Sequence, residues 1–328
     1  MRVDDLLPIL CCSACRADLT ATQSEFHCSA CGRSFPWDRD VARFVDSRNY
    51  ADNFGFQWQK YALTQMDGER QNASEIDFRK KAGLTAAELS GKRVLDVGCG
   101  TGRYAEVATR YGAQVVGVDL SAAAEVAAVN LAARNFTALQ ADVFGLPFKP
   151  ESFDVIYSIG VLHHTPDCEQ AVKVLPQYLK PGGILAVWLY SGYNKWYRFS
   201  DHYRKITHRM APQRLHRLLS TVVPLLNGVD RMLKLIPLVG KPAAEAVHYV
   251  LPVNRHSDPA WRVLETFDWY SPKYQSKHTY EQVFRWFENC GLVDLKVVET
   301  PISVRGRKPE RTGLETEREA WQQELQHS

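Results

Sequence analysis

VLDVGCGTGRY, residues 94–104, runs an apolar segment into a loop of three glycines set two apart. Arg93–Val97 predicts a short strand and Tyr104–Tyr111 a helix, with Gly98, Cys99, Gly100 and Gly102 in the turn between them. Glycine permits positive φ and lets a ligand approach the backbone closely. A strand–loop–helix of this form also points N–H groups from a helix N-terminus at whatever the loop holds. The run G-C-G-T-G is set more closely than the G-x-G-x-x-G of dinucleotide sites.

The chain downstream keeps the same alternation. QVVGVD (114–119), TALQAD (137–142) and FDVIYS (153–158) predict three more strands, and Gly183–Leu189 a fifth after a KPGG turn. AAAEVAAVNLAAR and EQAVKVLPQYL, between them, have helical composition or spacing. Strand–helix alternation predicts an α/β fold with a doubly wound, Rossmann-like parallel sheet. Such sheets bind ligands at the carboxyl ends of their strands. Asp96, the glycines, Asp119 and Asp142 all fall at those ends. An acid placed as Asp119 is, at the end of the second strand, can accept hydrogen bonds from both ribose hydroxyls. The pattern points to a nucleoside-type ligand.

The totals set the outer bounds. A chain of 328 residues predicts two or three units. Apolar content of 45%, charged content of 23% and a net charge of +3 are ordinary for a soluble globular protein and do not announce a nucleic-acid partner. No apolar run reaches the length of a transmembrane helix. MRVDDLLPIL lacks the layout of a signal peptide, so a cytoplasmic protein is expected, in contact with a membrane at most peripherally. Thiols stay reduced in that compartment and read first as metal ligands or core residues.

CCSACRADLTATQSEFHCSAC, residues 11–31, holds two C-x2-C pairs, Cys12 with Cys15 and Cys28 with Cys31. Two facing knuckles give a tetrahedral sulfur cage with no open position, the form of a structural zinc site. Cys11 is adjacent, and Cys12 is preferred because it keeps the two knuckles alike. Gly32, Phe35 and Trp37 fit a small ribbon that needs metal to fold. Cys99, Cys168 and Cys290 are scattered and read as small apolar residues.

Taken together, the motifs resemble those of the class I S-adenosylmethionine-dependent methyltransferases. VLDVGCGTG resembles the first motif of that family, VVGVD the second, ALQADVFGLPF the third, FDVIYSIGVLHH the fourth and LKPGGILAV the strand after it. The resemblance covers about 100 residues, from Gly91 to Tyr190. It implies that Gly98, Cys99, Gly100 and Gly102 pack against the methionine part of S-adenosylmethionine. Asp96 would hold the loop or the cofactor's amino group. Asp119 with Leu120 would bind the ribose, Asp142 with Val143 the adenine, and Ser158 with Ile159 would line the methyl-transfer side. The N-terminal segment resembles the zinc-ribbon modules fused ahead of some methyltransferases of this class.

Residues 1–46 form the ribbon, 47–90 a linker with lid helices, 91–190 the cofactor-binding core, 191–279 a helical insertion, 280–310 the last helix and strands, and 311–328 a tail. Phe54, Trp58 and Tyr61 form a lid over the cofactor or pack the linker on the sheet. Arg79, Lys80 and Lys81 read as a solvated face. In the insertion, Lys195 to Arg262 carries 12 Lys and Arg against 4 Asp and Glu. RLHRLLSTVVPLLNGVDRMLKLIPLVG within it reads as two short amphipathic helices broken around Pro224 and Asn227-Gly228. FDWYSPKYQSKHTY, 267–280, reads as a loop returning beside the cleft, with Asp268, Tyr270, Tyr274, Gln275, Lys277 and His278 toward the acceptor.

The general-base candidates are His164, His163 and His278. No NPPY-like tetrad is present and no catalytic cysteine pair is evident, which lowers two nucleic-acid subclasses. The expected function is transfer of a methyl group to oxygen or nitrogen of a small, lipophilic or glycan-linked molecule. The alternative is an RNA methyltransferase that grips RNA with the ribbon and the basic insertion.

Overall fold

The computed structural model describes residues 3–38, 41–45, 49–67, 72–193 and 198–311. The tail expected at 311–328 therefore lies outside the described residues beyond Arg311. Among the described residues, eleven strands form one sheet: β1 (Thr20–Ala21), β2 (Glu25–His27), β3 (Ser34–Asp38), β4 (Val41–Arg43), β5 (Arg93–Val97), β6 (Gln114–Asp119), β7 (Phe136–Gln140), β8 (Phe153–Ile159), β9 (Leu179–Trp188), β10 (Val293–Val297) and β11 (Ser303–Arg307). Their spatial order is β1-β2-β3-β4-β7-β6-β5-β8-β9-β11-β10. The parallel centre β7-β6-β5-β8-β9 reverses its winding at β5, and β11 and β10 close one edge antiparallel.

The central strands read as continuous apolar runs because both faces are covered. One face packs under α2 (Ala73–Ala82), α3 (Ala86–Leu89), α4 (Arg103–Arg110) and α5 (Ala123–Asn130), burying Phe78, Leu89, Val107 and Ala127 against Val94, Val115 and Tyr157. The other packs under α6 (Cys168–Lys173) and α11 (Tyr280–Asn289), through Val172, Trp286 and Phe287. Gly291 follows α11 with φ +71°, the left-handed cap that glycine supplies without a Cβ penalty.

The cysteine-bearing ribbon is joined to this sheet. β4 pairs parallel with β7, Ala42 opposite Leu139 and Arg43 opposite Gln140. Leu6, Leu10, Phe26, Phe35 and Phe44 share one core cluster with Leu139, Phe148 and Phe153. Arg16 adds a bond of 2.8 Å to the Leu146 carbonyl. The ribbon thus covers what would otherwise be an open sheet edge.

Among the described residues, four helices stand between β9 and α11: α7 (Arg198–Thr207), α8 (Pro212–Lys234), α9 (Gly240–Val250) and α10 (Pro259–Tyr270). Two readings need correction here. The segment expected to break at Pro224 is the continuous 23-residue α8. Leu215, Leu219 and Val223 bury one stripe of it in a core with Val263, Leu264 and Phe267 of α10, and that packing overrides the missing proline N–H. Asn227, buried inside α8, donates to the Val223 carbonyl at 2.9 Å and ties the helix to Asn254. The aromatic stretch from Phe267 is helical through Tyr270 and becomes a loop only after it. Among the described residues, no helix is long and apolar enough to cross a membrane.

Candidate active site

A cavity of about 1260 Å3, part of it open to solvent, lies at the carboxyl ends of the central strands. Its floor is the glycine loop. Gly98 sits at φ +83°, and a Cβ there would lie 2.4 Å from Val161. Gly100 sits at φ +53° under the indole of Trp58. Gly102, at φ +85°, opens α4 and lies behind the lining, where a Cβ would approach Leu131 at 2.8 Å.

Of the eleven residues expected to meet the cofactor, Gly98, Cys99, Gly100, Asp119, Leu120, Asp142, Val143 and Ile159 line this cavity; Asp96, Gly102 and Ser158 do not. Asp119, at the end of β6, accepts from the Gly100 N–H at 3.0 Å and from the Ser121 N–H and hydroxyl at 2.9 and 2.7 Å. Burial raises its pKa against these bonds. Asp142 accepts from the Phe144 N–H at 3.1 Å, and burial raises it as well. Asp96 is buried beneath the loop, where it accepts from the Tyr157 hydroxyl at 3.1 Å and burial pushes its pKa up to about 8. Ser158 donates to the Val97 carbonyl at 2.8 Å, which fixes β8 to β5.

Only one of the three histidine candidates lines the cavity. His163 and His164 share a short 3-10 turn, Leu162–His164, with ring centroids 4.2 Å apart and planes tilted by 53°. His163 turns into the wall and stacks on Tyr190 at 3.9 Å, fully buried. His278 packs edge-on against Trp286 and bonds through Nε2 to Ser276 at 2.7 Å. His164 stays at the lining, 5.1 Å from the ring of Phe54. Its Nδ1 lies 3.0 Å from the Tyr274 carbonyl, which can only accept, so Nδ1 carries the proton. Nε2 then carries a lone pair, buried and without a partner among the described residues. Burial pushes the His164 pKa down to about 4.

The rest of the wall was not legible from motifs. Phe54, Gln57 and Trp58 come from α1 (Asp52–Lys60); Tyr61, expected beside them, instead bonds His216 at 2.7 Å in the helical cap. Lys81 is not on a solvated face: its ammonium lies 2.9 Å from Asp77 and 3.9 Å over the ring of Trp188. Burial lowers its pKa. Arg103 reaches the cavity as well, held by Ser74 at 3.0 Å and Asp77 at 3.5 Å. Glu265 and Asp268 of α10, three residues apart, share one helix face and both line the cavity. Glu265 accepts from Gln65 at 2.7 Å, and Asp268 from Tyr190 at 2.7 Å and from Gln57. Burial raises both carboxyls. Tyr270, Tyr274, Gln275, Lys277 and His278 stay out of the lining. Gln57 keeps Oε1 buried and without a partner.

The four expected metal ligands converge. The Sγ atoms of Cys12, Cys15, Cys28 and Cys31 lie within 4.8 Å of one another, with Cys12–Cys31 at 3.6 Å and Cys15–Cys28 at 3.4 Å. Those gaps are too long for disulfides. They approach the edge of roughly 3.8 Å that a tetrahedron of sulfurs 2.3 Å from a central ion would have. Cys11 is buried outside the cluster.

Known proteins bear on both parts. Residues 95–187 match the family described as methyltransferase domain, and residues 4–36 the family described as Trm112p-like protein. An O-methyltransferase, cnsE, of Penicillium expansum is 34% identical over 130 residues, 37% of this chain and 47% of that protein. A ubiquinone biosynthesis O-methyltransferase of Ralstonia nicotianae is 37% identical over 117 residues, 30% of this chain and 43% of that protein. The chain thus spans about half the length of these relatives. An S-adenosylmethionine dependent methyltransferase structure from Mesorhizobium loti aligns with 72% of this chain and 98% of its own at 18% identity and a TM-score of 0.43. Residues 95–187 are a class I S-adenosylmethionine-dependent methyltransferase domain, and a Trm112-like module bearing a four-cysteine cluster precedes it.

Proposed function

We propose that the chain transfers a methyl group from S-adenosylmethionine to an oxygen or nitrogen of a small molecule. The observation that carries this reading is the cavity at the strand ends, lined by the glycine loop and strand-end acids together with groups from α1 and α10. Gly98, Gly100, Asp119 and Asp142 would hold the cofactor, which supplies an electrophilic methyl on a positively charged sulfur. Carboxylates and backbone groups suit that charge and its ribose. Asp96 and Ser158 would fix the loop from below.

The rest of the lining is rich in groups that accept hydrogen bonds. Gln57 Oε1, His164 Nε2, Glu265 and Asp268 call for a ligand that donates, as hydroxyls and amines do. An imidazole held down to about pKa 4 is a weak proton acceptor at neutral pH, so His164 would orient the donor rather than ionise it beforehand. Phe54, Val161 and Leu162 give the acceptor an apolar body to pack on and exclude water. The relatives named as O-methyltransferases favour oxygen. The four-cysteine cluster would hold a structural zinc ion, and the compartment proposed is the cytoplasm.

The test is product formation from methyl-labelled S-adenosylmethionine with panels of phenols, alcohols, amines and structured RNAs. Label in a hydroxyl- or amine-bearing small molecule, lost in His164→Ala by about 10–100-fold in kcat/KM, is the expected result. Label in RNA alone would overturn the small-molecule assignment.

A further inference from the structure

The helical insertion carries an exposed apolar tip that no part of the reaction uses. α8 ends at Lys234 and α9 begins at Gly240. Between them stand Leu235, Ile236, Pro237, Leu238 and Val239, every one exposed, with Leu235 at 82% and Leu238 at 98%. Leu238 is also held at φ +65°, a region that branched side chains rarely adopt. The apolar surface continues along α8 through Met232, Val229, Leu225 and Leu218, all exposed and spaced for one helix face. This is a different stripe from Leu215, Leu219 and Val223, which already pack on α10.

Cations surround the tip. Arg231, Lys234 and Lys241 are exposed, and no Asp or Glu occurs between Arg231 and Lys241. Lys234 pairs at the surface with Asp230 one turn earlier, at 2.8 Å. Contiguous apolar patches of this kind are uncommon on folded monomers and mark contact surfaces. A second copy of the chain is a poor occupant. A two-fold contact would set the same basic rim against itself. An anionic lipid surface satisfies both features: the leucines enter the boundary between headgroups and acyl chains, and the cations meet phosphates.

We propose that the α8–α9 tip docks on an anionic bilayer surface, with Met232, Leu235 and Leu238 inserted and Arg231, Lys234 and Lys241 at headgroup level. The proposal stands apart from the acceptor chemistry. Its link to the site is α10, which packs on α8 and supplies Glu265 and Asp268 to the cavity.

The experiment is co-sedimentation of the full chain with vesicles of phosphatidylglycerol and phosphatidylcholine in equal parts, against phosphatidylcholine alone. Binding to the anionic vesicles is expected, weakened by salt. Leu235→Asp with Leu238→Asp should weaken it about tenfold or more, and Lys234→Glu with Lys241→Glu should remove the anionic preference. Both pairs are exposed, so an unchanged thermal midpoint will show that the fold is intact. No binding by the wild-type chain, or undiminished binding by the double aspartate variant, would overturn the proposal. So would a dimer by light scattering that the aspartates dissolve while neither protein binds vesicles, which would assign the tip to a second copy.

Discussion

A methyl group added at Gly98 would lie 2.4 Å from Val161, on a backbone already at φ +83°. Both penalties act together, the left-handed conformation and the overpacking, so Gly98→Ala should destabilise the chain by about 3 kcal/mol and abolish cofactor binding. Thermal unfolding and a cofactor titration check the two effects; an alanine variant of wild-type stability would contradict the strained loop. This glycine was legible from the strand and acid around it. His164 was legible only as one of a pair, because nothing in HH says which ring faces the cavity. The tilt of a 3-10 turn and the Tyr274 carbonyl decide it. Since burial holds His164 neutral down to about pH 4, its Nε2 lone pair is present at every higher pH. kcat/KM should therefore show no acid limb near pH 6.5, the value of an imidazole in water. A limb there that His164→Gln removes would place the ring in solvent.

At the scale of elements, the five central strands were readable because each holds a short apolar run, and β6 and β7 lead into acids, Asp119 and Asp142, that line the cavity. The insertion was not. Pro224 and Asn227-Gly228 carry local signals for a break, and only the burial of Leu215, Leu219 and Val223 against α10 explains why the helix continues. Misreading Phe267–Tyr270 as a loop hid the register that puts Glu265 and Asp268 on one face. The ribbon was legible as a four-cysteine site, but nothing in its spacing announced β4 beside β7. That pairing has a consequence. Phe26, Phe35 and Phe44 belong to the same core as Phe148 and Phe153, so the cluster and the methyltransferase sheet should melt together. Chelating the zinc proposed for the cluster should lower the single thermal midpoint by roughly 10 °C. A separate low-temperature transition, with the main one unmoved, would show that the ribbon is an independent appendage.

For the whole molecule, three separately encoded parts meet in one cavity. The sheet provides Gly98, Asp119 and Asp142, the helix α1 lays Phe54, Gln57 and Trp58 over them, and the insertion adds Glu265 and Asp268. The first part follows from sequence motifs, and the other two from packing that brings distant segments to the strand ends. Every step proposed for the chain requires this cavity to hold S-adenosylmethionine. Calorimetric titration of the metal-loaded chain with S-adenosylmethionine, beside Asp119→Ala, tests it most directly. Removing Asp119 frees the Gly100 N–H and takes away the proposed ribose partner, so affinity should fall about 100-fold while the thermal midpoint of the folded variant stays measurable. Micromolar binding by the wild-type chain with that loss is the predicted result. No binding by the wild-type chain, or equal binding by a folded Asp119→Ala, would mean that the glycine loop and Asp119 do not form a site for S-adenosylmethionine.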